Sequence, residues 1–173
     1  MKPNRQLHAC LWLSTFLLGA LACGGGGGGG ESFIVTGLWT TNATGGPPTP
    51  NPSDTSRAGQ ACNAAAAAVP GGLPATQINV VQQDSTATAT EVGSGLAFTG
   101  TVNDADQSFT LTSSSTCVTE GSCQACGTFD TDFLNAAGNT ADVNVLLTVT
   151  GVSPSCAGLA CTLTFPPTTA SRS

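Results

Sequence analysis

The sequence predicts an all-β fold: an antiparallel meander of about seven to eight strands, closing into a small or half-open barrel and stapled by disulfides. Two stacked sheets, a β-sandwich, are the alternative. Three observations predict it. Apolar and polar residues alternate with a period of two in segment after segment from Phe33 onward. Short clusters of turn-forming residues separate these segments. Charged residues make up only 8% of the chain while Thr and Val are frequent, a composition that suits pleated, half-buried surfaces. A meander of this kind has to close or stack, because free strand edges invite pairing with other chains.

The elements follow in order. Phe33 to Thr41 reads as the first strand. Asn42 to Gly59 holds prolines at 47, 48, 50 and 52 and reads as surface loop. The alanine run Ala64 to Ala68 suits either a loop or a short helix stopped by Pro70-Gly71-Gly72, so residues 42–75 are expected as one long excursion. Thr76 to Gln82 places Ile78 and Val80 on one face and Asn79 and Val81 on the other. Gln83-Asp84 is a turn, and Ser85 to Val92 returns. Gly95 to Val102 puts Phe98 and Val102 inside, opposite Thr99 and Thr101. Asn103-Asp104-Ala105-Asp106 has turn chemistry, and Gln107 to Ser114 returns with Phe109 and Leu111 inside. Thr140 to Thr150 alternates Val143, Val145, Leu147 and Val149 with Asn144 and Thr148. Cys161 to Phe165 is expected as the last strand, ended by Pro166-Pro167, so residues 32–167 form one β-domain and 168–173 a C-terminal tail.

Ahead of this domain lies a different kind of segment. Residues 1–8 carry Lys2 and Arg5, and an apolar run follows from Ala9 to Ala22. That run is too short for a bilayer span, which takes roughly 20 residues, and it fits a secretory signal over residues 1–22. Ala20-Leu21-Ala22-Cys23 resembles the lipobox of bacterial lipoproteins, with Ala20 where that family favours a branched aliphatic residue. The resemblance implies cleavage before Cys23, a diacylglycerol thioether on its sulfur, and acylation (palmitate or a similar chain) of the new amine. Several acyl chains hold firmly, whereas a single myristoyl chain binds only marginally. Gly24 to Gly30 follow at once, so residues 23–31 read as lipidated cysteine and tether. Glycine directly after the cysteine resembles lipoproteins sent to the outer membrane of two-membraned bacteria, and implies that address.

Removal of the first 22 of 173 residues leaves Arg57 and Arg172 as the only basic residues against all ten acidic ones, a formal charge of −8. A chain this acidic, with no basic patch, is a poor candidate for binding nucleic acid or anionic lipid. The only histidine, His8, and the only lysine, Lys2, lie in the signal, and the chain has no tyrosine. The usual general base, amine nucleophile and commonest metal ligand are therefore missing from the remainder, which argues against catalysis. No cofactor is expected.

The remaining cysteines are Cys62, Cys117, Cys123, Cys126, Cys156 and Cys161, and an even number in an exported domain reads as disulfides. Six cysteines allow 15 pairings. Cys156–Cys161 is favoured across a hairpin, and since the cluster at 117, 123 and 126 cannot pair wholly within itself, one member is expected to reach Cys62. Cys123-Gln124-Ala125-Cys126 has the spacing of a redox motif but lacks a neighbouring cation or a βαβ context. Zinc would need a fourth ligand that no histidine supplies. Asp104 with Asp106, and Asp130 with Asp132, are candidate calcium oxygens or an acid–base pair, without the glycine and distal glutamate of a calcium loop.

Gly37-Leu38-Trp39 resembles the GxW motif of lipocalins. The resemblance implies that Gly37 and Trp39 sit near the closed end of an eight-stranded barrel that holds a small apolar ligand. It also implies an arginine from a late strand packed over the tryptophan. Here no arginine lies between Arg57 and Arg172, and Arg172 falls beyond the last expected strand. The functional expectation is a lipid-anchored, non-catalytic envelope module, structural or interacting with another envelope protein; a lipocalin-like carrier is the alternative, and an enzyme ranks third. If Phe98, Phe109, Val145 and Leu147 fill the interior the carrier has no cavity, whereas an open pocket of roughly 300 Å³ or more favours it.

Overall fold

The computed structural model describes residues 33–52 and 56–173, and residues 33–173 form one compact unit. Cys23, the expected signal over residues 1–22 and the expected tether over 23–31 lie outside the described residues. The described residues are all-β around one α-helix, and their centre is a closed eight-stranded antiparallel barrel.

β1 (Gly37–Thr41) is followed by β2 (Thr49–Asn51) and helix α1 (Arg57–Ala67), then by β3 (Thr76–Gln83) and β4 (Thr86–Glu91). β5 (Ala97–Asn103) and β6 (Ser108–Ser113) form the next hairpin. β7 (Thr116–Glu120), β8 (Cys123–Leu134) and β9 (Thr140–Gly151) continue the meander. A single 3-10 turn (Pro154–Cys156) leads to β10 (Ala160–Thr164) and β11 (Thr168–Arg172). Around the barrel the order is β9-β11-β1-β3-β4-β5-β6-β8, closed by the β8–β9 pairing.

The period-two patterns lie where the sequence puts them. Ile78 and Val80 are buried while Val81 is 48% exposed. Phe98, Val102, Phe109, Leu111 and Val143 all face the core. On β4 the inward series starts with Ala87 and Ala89, and Ala89 lies opposite Phe98 on β5. Small side chains on one strand thus make room for large ones on the next, as a narrow barrel requires.

The 12-residue strands β8 and β9 outrun the barrel wall. One half of each belongs to the barrel, where β8 pairs with β6 and β9 with β11. The other half carries β7 on one side and β10 with β2 on the other, giving a second small sheet, β2-β10-β9-β8-β7. Helix α1 covers part of that sheet. Ser56 caps it, its hydroxyl accepting from the Gly59 amide at 3.0 Å. The alanines that follow carry the helix at little entropic cost. Its buried face, Cys62 and Ala66, packs with Leu163, Phe165, Leu147 and Val149. Phe129 and Val145 touch both this core and that of the barrel.

Four expectations are corrected. The excursion 42–75 is not only loop, since it contains β2 and α1. Residues 116–134 hold two unexpected strands. In β8 the inward Phe129, Thr131 and Phe133 alternate with Asp130 and Asp132, a pattern that reading the aspartates as ligands obscured. Residues 168–173 are not a tail. Pro166-Pro167 turns the chain after β10, and β11 then enters between β1 and β9 to close the barrel.

The cysteine pairing is the fourth. All six form disulfides, but Cys156 does not bond Cys161, and Cys62 is not reached from the 117–126 cluster. The bridges are Cys62–Cys161, Cys117–Cys126 and Cys123–Cys156. The physical reason lies at Gly151. A Cβ there would overlap the Cys156 carbonyl, so only glycine lets the 3-10 turn fold back on β9 and aim Cys156 at the β7–β8 hairpin. Cys161 faces the other way, inward from β10 against α1.

Gly100 is the other close approach. It faces inward between Phe98 and Val102, and a Cβ there would overlap the Thr110 carbonyl on β6. The missing side chain lets β5 bend tightly over β6 at a corner of the barrel.

Two outcomes are expected. Gly100→Ala should lower unfolding free energy by about 3 kcal/mol or more, measured by urea denaturation. Peptide mapping without reduction should return the three bridges above. Replacing each pair with serine should cost stability in the order of loop length, about 4.7 kcal/mol for Cys62–Cys161 (separation 99), about 3.7 for Cys123–Cys156 (33) and about 2.6 for Cys117–Cys126 (9).

Candidate functional site

The barrel has two unlike ends. One is plugged. Trp39 is fully buried there and meets Phe109 and Phe133 at ring-centroid distances of 5.3 and 5.6 Å. The two phenylalanines stack on each other at 4.2 Å. The Trp39 Nε1–H donates to the Val35 carbonyl at 2.8 Å, which folds residues 33–36 across the barrel floor. Gln82 holds the same segment. Its Oε1 accepts from the Val35 amide at 2.8 Å, and its Nε2 donates to the Phe33 carbonyl at 3.3 Å.

Arg172 completes the plug. It lies directly across the β1–β11 ladder from Trp39, with its guanidinium carbon 5.5 Å from the indole centroid. Nη2 donates to the Gly138 carbonyl at 2.8 Å and Nη1 to the Ile34 carbonyl, while Nε faces Asn139 Oδ1 at 3.4 Å. One side chain therefore joins the first described residues, the last strand and the β8–β9 turn. Gly37 makes this feasible. Its φ of +148° is one that side chains rarely adopt, and a Cβ would press on the Arg172 stem at 3.0 Å. The expectation that Arg172 falls after the last strand is thus overturned. It is on the last strand, over the tryptophan.

The other end is a mouth. A cleft of about 110 Å³ opens there between Ile78, Leu96, Phe98, Phe129 and Val145, under the loops that carry Thr44, Leu73 and Pro74. These loops are fastened together. The Leu73 amide donates to Thr44 Oγ1 at 2.8 Å, and the Thr44 amide donates to the Leu73 carbonyl at 3.1 Å. Glu91 ends the inward series of β4, after Ala87 and Ala89, and turns its carboxylate to the cleft wall. Thr76 Oγ1 donates to its Oε1 at 2.6 Å, and the Ser94 hydroxyl donates to its Oε2.

The four residues named for the interior divide between these places. Phe109 is in the plug, Phe98 and Val145 line the mouth, and Leu147 belongs to the core under α1. The cleft is well below the roughly 300 Å³ of ordinary ligand pockets.

The other sequence candidates are not brought together. The Asp104–Asp106 turn is organised by Asn103, whose Oδ1 accepts from the Ala105 amide at 3.1 Å and whose Nδ2 donates to Asp106 Oδ2 at 2.6 Å. Asp130 accepts from Thr112 Oγ1 at 2.7 Å on the outer face of the barrel. Among the described residues no group of three or more His, Cys, Asp or Glu side chains is placed to hold a metal ion. Cys123 and Cys126 belong to different disulfides. Glu91 was missed on the sequence, although an acid closing the Thr-Ala-Thr-Ala-Thr-Glu alternation is a visible signal.

Arg172→Ala should cost about 2–4 kcal/mol by urea denaturation followed through tryptophan fluorescence, because it leaves several carbonyls without their donor and uncovers Trp39. Arg172→Lys should recover less than half of the loss, since an ammonium cannot span the same fork of acceptors.

No family model matches this chain, and neither a curated protein nor a solved structure does.

Proposed function

We propose that the chain is a non-catalytic lipoprotein of the cell envelope, anchored to the outer membrane through lipid on Cys23 and serving as a structural or interaction module. The observation that carries the reading is the plugged end of the barrel. Trp39, Phe109 and Phe133 fill it, and Arg172 seals it. Such an interior suits a rigid, disulfide-stapled body better than a deep carrier cavity. The resemblance of Ala20-Leu21-Ala22-Cys23 to a lipobox and the glycines after it support the anchor. Phe33, the first described residue, lies at the plugged end, where its carbonyl accepts from Gln82. The scarcity of general bases and amine nucleophiles beyond residue 22 supports a non-catalytic role.

The mouth favours a second reading, a binding protein for one small ligand whose apolar part sits between Phe98 and Phe129. An eight-stranded barrel is just wide enough either to fill its interior or to hold one such molecule.

Cys23→Ser should move the protein from the membrane fraction to the soluble fraction after cell fractionation, and mass spectrometry of the unaltered protein should find acyl chains on residue 23. A Cys23→Ser variant that stays with the membrane contradicts the anchor.

A further inference from the structure

We propose that the mouth cleft binds a small organic ammonium ion, whose charge is held by Glu91 and whose apolar body lies between Phe98 and Phe129. The inference rests on the second reading above and goes beyond it by assigning the charge of the ligand.

β4 alternates strictly, and the positions that face inward are Ala87, Ala89 and Glu91. A carboxylate on the inner face of a barrel, at the head of a series of buried alanines, loses part of its hydration. Here it is half-buried in a cleft whose walls are Ile78, Leu96, Phe98, Phe129 and Val145. The hydroxyls of Thr76 and Ser94 hold both of its oxygens in place. Neither is a cation. The cations among the described residues are Arg57 and Arg172, and neither lines this cleft. Arg172 is in the plug and Arg57 donates to the Ser155 carbonyl at 2.9 Å. The carboxylate is thus oriented and hydrogen-bonded, yet its charge is not matched.

Thr131 supplies an independent observation. It is only 6% exposed, faces inward from β8 and lines the same cleft. Its hydroxyl makes no hydrogen bond to another described residue, although no side-chain nitrogen or oxygen among them is both fully buried and unpartnered. The hydroxyl therefore opens into the cleft, where a ligand can reach it. The two aromatic walls suit the same ligand, since a ring face attracts a cation and packs against an apolar body. An anion would meet Glu91 with like charge, and a neutral molecule would leave the carboxylate as it is. The size of the cleft limits the body to about one ring or a short branched chain.

The test is an NMR titration of the 15N-labelled full chain with benzylammonium, benzyl alcohol and benzoate. Benzylammonium should shift the amides of Ile78, Glu91, Phe98 and Thr131 and bind at least tenfold more tightly than benzyl alcohol, while benzoate leaves these amides in place. Glu91→Gln should weaken benzylammonium binding tenfold or more and leave benzyl alcohol unchanged; Thr131→Val should weaken benzylammonium several-fold. On the unaltered chain, added NaCl should weaken benzylammonium but not benzyl alcohol, which needs no variant to fold. If benzyl alcohol or benzoate binds the mouth as tightly as benzylammonium, or Glu91→Gln changes nothing, the charge assignment is overturned while the mouth stays a ligand site. If none of the three shifts the mouth amides, both this inference and the small-ligand reading fail.

Discussion

The packing of Arg172 across Trp39 is the constraint on which the rest of the molecule depends. A barrel is stable only once its last edge is paired, and here the closing strand is the last one in the chain. Five residues, Thr168 to Arg172, have to find the slot between β1 and β9. Backbone pairing alone gives a short strand little register preference. The guanidinium supplies it, because it reaches Trp39, Ile34, Gly138 and Asn139 only when Arg172 lies opposite Trp39. The plug thereby couples strand order, register and the path of residues 33–36. Trp39 satisfies its own indole N–H within the same segment, so the largest side chain of the core is buried without an unmet donor.

The β8–β9 hairpin gives the fold its second level. Because each of its strands serves the barrel with one half and a smaller sheet with the other, the two hydrophobic cores share Phe129 and Val145 and are not independent. The smaller core is poor in large side chains. Apart from Leu163 and Phe165, its fully buried members are Cys62, Ala66 and Cys161. All three disulfides have at least one end in this part of the molecule, where hydrophobic burial alone is weakest. The barrel core, with three interlocked aromatic rings, contains no cystine.

The contrast between the two ends also frames the functional proposal. At the plugged end, aromatic packing and a saturated arginine leave little to bind. At the mouth, the inward row of β4 passes from alanine to glutamate, and β8 contributes the buried Thr131, whose hydroxyl has no partner among the described residues. Polar groups in a mostly apolar concavity are what give a binding site its selectivity. The overall acidity of the chain reinforces the preference of Glu91 for a cation over any distance short of the screening length.

Local alternation determined most of the strands. β1, β3 to β6, β9 and β10 were legible because each side chain chooses between core and solvent at every second position, a choice written directly in residue type. The all-β class follows from their number, which left barrel and sandwich both open until the β8–β9 pairing closed the sheet. What the tertiary structure alone decided was everything that depends on which distant segments meet. β11 has no apolar alternation to announce it, since Thr168-Thr169-Ala170-Ser171-Arg172 becomes a strand only because β1 and β9 both leave an edge unpaired there. β7 and β2 are likewise edge strands recruited by the long hairpin. The disulfide partners follow from Gly151 and the turn after it, not from distance along the chain. The mouth cleft could not be read in advance either, because residues 41 to 168 reach it from many elements and their shared location is a product of barrel closure.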